Sequence, residues 1–363
     1  MIFTQQDPGH WLTFSKRADN INLPIQELTR KYNKEKLLFE NYVTNFQQAQ
    51  QALLAQQAVG VGGGTPFIMD SNIYQIIDAW FENKMRVEVH YGPIGSWDVS
   101  RVTDMYQLFE PSTFYTIGKN VVDGFNEDIS AWDVSNVSQM GEMFSNQTIF
   151  NQPLGNWDVG NVTRMTYMFS GATAFDQPLN SWDVSNVVNM EVMFESASSF
   201  NQDLNSWNVS NVTDMSGIFE KATLFDGNIT SWNVSNAIGV ETPGYGIARM
   251  FKEATSFNQN ISGWIINSGI TSFYKMFEGA TSFDQNLGNW NIAGIDTAED
   301  MFLGVTLSTA NYSSLLIGWA ADAPITGPVK FSGGNSQYSA GAAAAARAEL
   351  VLEGWIITDG GQA

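Results

Sequence analysis

Apolar and polar positions recur along most of the chain with a regular period, which tryptophan marks most clearly. Four successive tryptophan spacings are 25 residues, and wider spacings of 35 and 32 residues flank them. The cleanest unit begins at Leu179 and has the sequence LNSWDVSNVVNMEVMFESASSFNQD. Self-similarity at a fixed period of roughly 20 to 50 residues is typical of repeat architectures. The pattern therefore predicts a stack of coils, marked by Trp97, Trp132, Trp157, Trp182, Trp207, Trp232, Trp264 and Trp290.

The first half of each unit predicts a short strand. Leu179, Trp182 and Val184 follow the L-x-x-L-x-L spacing of a leucine-rich repeat, so we expect their side chains to point into the stack. Asn186 comes next, and we expect its side chain to satisfy backbone groups where the chain turns.

The second half of each unit carries methionine and phenylalanine at helical spacing. Met190, Met193 and Phe194 lie at positions i, i+3 and i+4, which predicts about one turn of helix on the side opposite the strand. One coil cannot bury its own apolar side, so each coil should be stabilised by its neighbours. Stacking then predicts two rows of buried phenylalanines: Phe109, Phe144, Phe169, Phe194, Phe219, Phe251, Phe277 and Phe302, and Phe125, Phe150, Phe175, Phe200, Phe225, Phe257 and Phe283.

The repeat unit, written WDVSNVTxMxxMFxxAxxFNQxL, resembles that of the BspA-like leucine-rich-repeat surface proteins, in the 25-residue variant found in bacteria, protists and large or marine viruses. The resemblance covers about residues 67–363, and it implies adhesion or display in place of catalysis. It transfers no set of binding residues. The predicted fold class is an α/β solenoid, a leucine-rich-repeat-like right-handed array of about eight coils with a helical N-terminal cap and an α/β C-terminal cap.

Caps are predicted on both sides of the repeat solenoid, which we place at residues 93–302. Residues 67–92 hold an amphipathic helix with Asp70 or Ser71 as candidate N-cap and one apolar face, formed by Ile73, Ile76, Ile77, Trp80 and Phe81. Residues 303–363 form the C-terminal cap. Its predicted elements are helices near Ser308–Ala320 and Ser339–Glu353 and strands at Val329–Phe331 and Trp355–Thr358.

Before the caps, residues 1–58 predict an arm with one long amphipathic helix, which residues 59–66 join to the rest as a glycine-rich linker. The arm is near neutral and rich in glutamine, whereas the repeats are acidic, so we expect the helix to dock on a larger assembly or to oligomerise. The alternative is that it folds back on the solenoid as a lid. Its apolar stripe consists of Ile25, Leu28, Tyr32, Phe39, Tyr42, Phe46 and Leu53.

Composition excludes several classes of function. The 363 residues include no cysteine, two histidines and a formal charge of −20, from 37 acidic against 17 basic residues. Thiol chemistry and zinc ribbons are excluded, and a nucleic-acid partner is disfavoured because phosphate binding needs basic patches. No catalytic motif such as G-x-S-x-G or H-E-x-x-H occurs, and no apolar run reaches the length of a membrane span. We expect a non-enzyme without cofactors, membrane insertion or nucleic-acid binding.

The residue between the tryptophan and the valine of each unit is expected to face outward. The polar ones form a predicted column, Asp98, Asp133, Asp158, Asp183, Asn208, Asn233 and Asn291, which Ile265 interrupts after Asn233. We expect mutual repulsion to raise the pKa of its aspartates. Two hypotheses remain open: the column binds a basic partner or, less strongly, Ca²⁺, or it is a solvated face that keeps the protein soluble. The insertions Pro111–Gly124 and Glu241–Gly246 are further candidates for specific contacts.

The expected function is that of a virion structural protein, a fibre, decoration or tail-associated component. It would be displayed on the particle and attach to a host-surface protein or glycan. The start of the chain, MIFTQQDPGHWLTF, lacks the basic-then-apolar order of a secretion signal, which favours this hypothesis. A bacterial or protist cell-surface adhesin, located extracellularly or at the cell surface, is the alternative. An intracellular scaffold is the second alternative.

Overall fold

The computed structural model describes residues 67–110, 124–239, 246–321 and 328–363. Phe67–Ala363 form one compact unit. The predicted N-terminal helix, with its apolar stripe, and the glycine-rich linker lie outside the described residues. Most of each predicted insertion also lies outside them.

Successive repeats are joined by a ladder of backbone hydrogen bonds. The N–H groups of Met190, Val192, Phe194 and Ser196 donate to the carbonyl oxygens of Asp214, Ser216, Ile218 and Glu220, at 2.7–2.9 Å. Isolated parallel bridges continue the same register and connect Asp104, Gln139, Arg164, Asn189 and Asp214 in turn. Each repeat therefore lies against the next one in parallel, displaced by one period.

The short helix predicted at Met190–Phe194 is wrong, and so is the strand predicted at Leu179–Val184. Residues 179–200 contain neither element, and the parallel bridges form at Asn189 instead. The reason is backbone conformation: φ is +48° at Val192 and +57° at Ser196, whereas an α-helix requires φ near −60° throughout. Alternate N–H groups then point to the neighbouring repeat.

Left-handed residues occur at two fixed positions of the described repeats. They are Gln107, Glu142, Tyr167, Val192, Gly217, Arg249, Lys275 and Asp300 at the first position, and Asn146, Gly171, Ser196, Lys221, Glu253, Gly279 and Gly304 at the second. One of the eight residues at the first position is glycine, and three of the seven at the second. Most of these positions therefore hold a residue with a side chain in the left-handed conformation, which is energetically unfavourable for such residues.

Stacked aromatic rings fill the core, and the two predicted rows of buried phenylalanines are confirmed. Phe194 and Phe200 of one repeat lie 4.1 Å apart between ring centroids. Their counterparts in the next repeat, Phe219 and Phe225, lie 5.7 and 6.0 Å away. The tryptophans form a third row, in which Trp182 and the next indole are 6.3 Å apart and parallel. Offset stacking adds to the free energy gained from burying these large rings.

The N-terminal cap contains two helices, α1 at Ile73–Glu82 and α2 at Lys84–Tyr91, followed by a 3₁₀ turn at Ile94–Ser96. Helix α1 confirms the predicted helix, and it buries Ile73, Ile76, Ile77 and Trp80. The predicted N-cap is wrong, because Asn72 occupies that position. Asp70 instead accepts hydrogen bonds from the backbone N–H and the hydroxyl of Thr103, at 2.7 and 2.6 Å, and so ties the cap to the first repeat.

The C-terminal cap confirms the predicted helices and strands of this segment. A parallel sheet of order β1–β2–β3 is formed by Thr297–Ala298, Lys330–Ser332 and Ile356–Thr358. Lys330 pairs with Thr297 on one side and with Ile356 on the other. Helices α3, Thr309–Ala321, and α4, Ala342–Leu352, pack against each other. The buried Tyr312 hydroxyl donates to Asp359, which also pairs with Arg347, so this cap has its own polar centre.

Candidate functional site

The predicted column of aspartates and asparagines is exposed at every position. Each member lies between a buried tryptophan and a buried valine or isoleucine of its repeat. The described members are Asp98, Asp133, Asp158, Asp183, Asn208, Asn233 and Asn291. We refer to these seven residues as the outer row. Because successive repeats stack in parallel, the outer row presents one polar side chain per repeat, except in the repeat of Trp264, where Ile265 takes this position.

Every residue of the outer row caps a tight turn. Its side-chain Oδ1 accepts a hydrogen bond from the backbone N–H two residues later, at 3.0–3.2 Å. The serine at that later position, for example Ser100, also donates its hydroxyl to the same oxygen, at 2.6–2.7 Å in the repeats of Asp98, Asp133 and Asn208. Asparagine and aspartate form such turns because their short side chains mimic a backbone turn. One oxygen of each side chain is thus used by the fold itself.

The pKa values of the outer row correct an expectation. Repulsion along the row was expected to raise the pKa of its aspartates, but the pKa of Asp98 and that of Asp183 are lowered. The largest cause is the hydrogen bond from the side chain of Ser100 or Ser185, and the backbone N–H of the same serine adds to it. Hydrogen bonds to the ionised form outweigh the effect of partial burial here, so these two carboxylates are charged at neutral pH.

An asparagine ladder lies beside the outer row. The side-chain Nδ2 of Asn136, Asn161, Asn186, Asn211 and Asn236 donates to a backbone carbonyl of the preceding repeat, at 2.6–2.9 Å. This confirms the expectation that the repeated asparagine satisfies the backbone where the chain turns. It also holds adjacent repeats, and hence adjacent members of the outer row, in register.

Calcium binding gains no support from the outer row. In the described parts of the chain, no three acidic or histidine side chains come together where they could hold a metal ion. The carboxylates are distributed one to a repeat, and each already accepts hydrogen bonds from its own turn. Ca²⁺ prefers six to eight oxygen ligands, which this spacing does not supply.

A second polar ladder was missed in the sequence, although the recurring Phe-Asn/Asp-Gln motif signals it. Oδ1 of the residue after the phenylalanine accepts from the backbone N–H of its counterpart in the next repeat, at 2.8–3.0 Å. The glutamine that follows in most repeats, such as Gln202, donates to the same group of the preceding repeat. We call these residues the inner ladder: Asn126, Asn151, Asp176, Asn201, Asp226, Asn258 and Asp284. They explain the motif structurally.

A buried carboxylate was also missed in the sequence. Glu220 is only 4% exposed and pairs with Lys252 at 2.9 Å and Arg249 at 3.4 Å. The hydrogen bond to Glu220 raises the pKa of Lys252. The equivalent position holds Glu195 one repeat earlier and Ser170 two repeats earlier, so the residue type varies there from repeat to repeat. These ion pairs join the repeat of Glu220 to the next one, which contains Arg249 and Lys252.

Comparison with known proteins identifies the repeats. A family described as "Mycoplasma protein of unknown function, DUF285" matches the chain three times, at residues 75–205, 155–243 and 202–315. The chain belongs to this family. The overlap of the three matches agrees with the repetition of the DUF285 unit along the chain. No curated protein and no solved structure matches the chain. None of the described helices has the length and apolar character needed to cross a bilayer.

Proposed function

We propose that this DUF285 protein is a non-enzymatic structural protein that displays a BspA-like, leucine-rich-repeat-type solenoid for attachment to a host surface. The observation that carries the proposal is the outer row, an exposed polar side chain held in the same turn in seven of the eight repeats that tryptophan marks. A surface of this kind is repetitive and extended, which suits binding along a length of partner. Acid–base catalysis needs two titratable groups whose environments separate their pKa values, and the repeated turns of the outer row place its side chains in similar environments.

The charge of the outer row supports a basic partner. The turn requires only an acceptor oxygen, and Asn208, Asn233 and Asn291 supply it without a charge. The first four repeats nevertheless use aspartate, which adds negative charge that the turn does not need. We therefore propose that the four aspartates of the outer row contact lysine or arginine side chains of a host-surface protein. Opposite electrostatic potentials on the two surfaces would favour specific binding.

The location of the protein is the second part of the proposal. Residues 1–58 carry six basic and five acidic residues, net +1, whereas residues 93–363 carry nine and 28, net −19. This contrast supports an arm that joins a larger assembly, such as a virion, and a repeat body that is displayed. The bacterial name of the matching family favours a second candidate, a cell-surface adhesin.

Gold-labelled antibody against residues 67–363, applied to material from the source, tests the location. Labelling of particles is the expected result, labelling of cell surfaces would favour the adhesin, and labelling confined to the cell interior would contradict both. Binding is tested separately with the variant Asp98→Asn, Asp133→Asn, Asp158→Asn and Asp183→Asn. It keeps every turn acceptor but should bind host cells at least about tenfold more weakly, because four charges are lost. The matched control, Asp176→Asn on the inner ladder, should bind normally.

A further inference from the structure

Nine asparagines of the chain are followed two positions later by serine or threonine, with a residue other than proline between them. This triplet is the acceptor for N-linked sugars. The sugar is joined to the side-chain amide nitrogen, Nδ2, so a triplet of the folded protein can carry one only where that atom is free at the surface. The nine are Asn136, Asn146, Asn161, Asn208, Asn211, Asn228, Asn233, Asn260 and Asn311.

The fold itself uses Nδ2 in five of the nine. In the asparagine ladder, Nδ2 of Asn136, Asn161 and Asn211 donates to a backbone carbonyl of the preceding repeat, at 2.6–2.9 Å. Nδ2 of Asn146 and that of Asn311 also donate hydrogen bonds, at 3.2 and 2.8 Å. A bulky sugar on any of these atoms would separate the nitrogen from its acceptor and weaken the contact between neighbouring segments.

The remaining four asparagines form turns in which the amide oxygen, and not the nitrogen, is bonded. Asn208 and Asn233 belong to the outer row, and Asn228 and Asn260 each lie four residues before a tryptophan. Oδ1 of each accepts a hydrogen bond from the backbone N–H two residues later, at 3.0–3.2 Å. Within the described residues, none of the four donates from Nδ2. Asn228 is half-buried and the other three are exposed, so the nitrogen of each turn is available at the surface.

The hydroxyl group of the triplet is also held beside the amide in three of these turns. At Asn208, Asn228 and Asn260, the serine or threonine side chain donates to the same Oδ1, at 2.7–2.8 Å. In the asparagine ladder, by contrast, the hydroxyl of a triplet such as that of Thr213 donates to the backbone carbonyl of Val188 in the preceding repeat. The two groups that define the acceptor therefore lie together only where Nδ2 is free.

The place of these four asparagines along the chain is a second observation. They fall within residues 208–262, whereas earlier repeats use aspartate in the same two turns. Oδ1 of Asp183 accepts from the N–H of Ser185 at 3.0 Å, and Oδ1 of Asp128 accepts from that of Ser130 at 2.9 Å. Both turns thus change from aspartate to asparagine in the same part of the chain. The change keeps the oxygen that the turn needs, removes a charge and supplies an amide nitrogen.

We propose that Asn208, Asn228, Asn233 and Asn260 carry N-linked sugars. The co-substrate is a sugar whose anomeric carbon carries a diphosphate leaving group. Nδ2 forms a bond to this carbon, the bond from the carbon to the diphosphate oxygen breaks, the diphosphate leaves with the electron pair and the amide loses one proton. The four aspartates of the outer row lie outside residues 208–262, so the sugars would leave them uncovered. The modification does not depend on host attachment.

Peptide mass spectrometry of the full chain, isolated from its source, tests the proposal. Peptides that contain Asn208, Asn228, Asn233 or Asn260 should show the added mass and the fragment ions of a sugar. Asn291 is an internal control, because it forms the same exposed turn but has Ala293 in place of the serine or threonine, and it should be unmodified. Four unmodified asparagines would overturn the proposal, and so would sugars on the asparagine ladder.

A pair of serine variants tests whether the triplet itself is the acceptor. Ser210→Ala removes the hydroxyl group but keeps the backbone N–H that forms the turn at Asn208. Ser135→Ala is the matched control, because it removes the same hydroxyl bond from the turn at Asp133, which has no amide nitrogen. When both are expressed in the source, Ser210→Ala should lose the sugar at Asn208 alone, and Ser135→Ala should lose none. A sugar that remains on Asn208 in the first variant would contradict the proposal.

Discussion

At the scale of single residues, each repeat tryptophan acts both as a core side chain and as a hydrogen-bond donor. The Nε1–H of Trp182 donates to the carbonyl of Leu154 at 2.9 Å, and Trp207 repeats the contact with Leu179. Trp319 of helix α3 makes the equivalent bond to Leu287 at 3.1 Å, which carries the row into the C-terminal cap. Leucine at this position would fill less of the core and would leave a buried carbonyl without a partner.

Replacing Trp182 with phenylalanine should therefore destabilise the protein by about 2–4 kcal/mol, through lost volume and an unsatisfied buried carbonyl. The measurement is the urea concentration at the unfolding midpoint, compared between proteins whose unfolding free energy has the same slope against urea concentration. Trp355→Phe is the control, since the indole nitrogen of Trp355 is buried without a hydrogen-bond partner. Trp355→Phe should lower the free energy of unfolding less than Trp182→Phe does. Equal decreases would show that the hydrogen bond of Trp182 contributes nothing to stability.

The outer row gives a prediction for pH. Because the pKa of Asp98 and that of Asp183 are lowered in the folded state, their contribution to stability is complete above the ordinary value of 3.8. It is lost as the pH falls below that value through the folded-state pKa. The variant Asp98→Asn with Asp183→Asn should thus lose less stability than the unmodified protein between neutral pH and about pH 3. Denaturant midpoints across this range provide the test, and parallel curves would contradict it.

At the scale of elements, the sequence predicts what is buried better than it predicts backbone conformation. The inward positions, Leu179, Trp182, Val184, Met190 and Phe194, are all buried, because the period alone determines which residues face the stack. The helical turn at Met190 could not be excluded from that spacing. The sign of φ decides it, and the left-handed positions hold residues as different as Val192 and Glu142. Helices α1, α3 and α4 and strands β2 and β3 lie within a few residues of their predicted places, because their apolar patterns follow ordinary rules for helices and strands, whereas helix α2 was not predicted.

For the candidate site, too, the sequence predicts exposure but not local geometry. Exposure of the outer row followed from its place between tryptophan and valine, but its turns and the lowered pKa values did not. Those depend on the position of the next serine N–H and hydroxyl relative to the carboxylate, as at Ser100 and Asp98. A prediction based on the distance between charges omitted these bonds and so gave the wrong direction for the pKa.

The inner ladder yields a prediction for a whole row of side chains. Its aspartates, Asp176, Asp226 and Asp284, are separated from one another by asparagines, so no two carboxylates occupy adjacent repeats. Asn201→Asp would keep the acceptor but create three successive carboxylates about 4.8 Å apart. We expect a loss of about 0.5–1 kcal/mol that shrinks as salt is added.

Asn126→Asp is the matched control for that substitution. It makes the same chemical change at the first position of the inner ladder. The neighbouring member of the ladder, Asn151 in the next repeat, is uncharged. Urea midpoints at low and high salt compare the two variants. Equal effects of both, or an effect independent of salt, would show that repulsion does not explain the alternation.

At the scale of the molecule, stability comes from contacts between neighbouring repeats and from the two caps that end the stack. Every backbone ladder, aromatic row and side-chain ladder joins a repeat to the next, as the bonds from Met190 to Asp214 and from Asn211 to Ser185 illustrate. A repeat array of this kind is stabilised by the sum of its interfaces. Phe67–Ala363 contain all of these contacts and form one compact unit.

Removing residues 1–66 should therefore leave a protein that folds and unfolds cooperatively, with a melting temperature within a few degrees of that of the full chain. Circular dichroism and calorimetry of the two proteins provide the comparison. Under the proposed function, the shortened protein should also no longer join its parent assembly. If the truncation instead unfolds the repeats, residues 1–66 form a lid that the stack requires, and the role of an independent docking arm is wrong. A truncated protein that folds and still joins the assembly would support independent folding of residues 67–363. It would contradict the proposal that the arm anchors the protein.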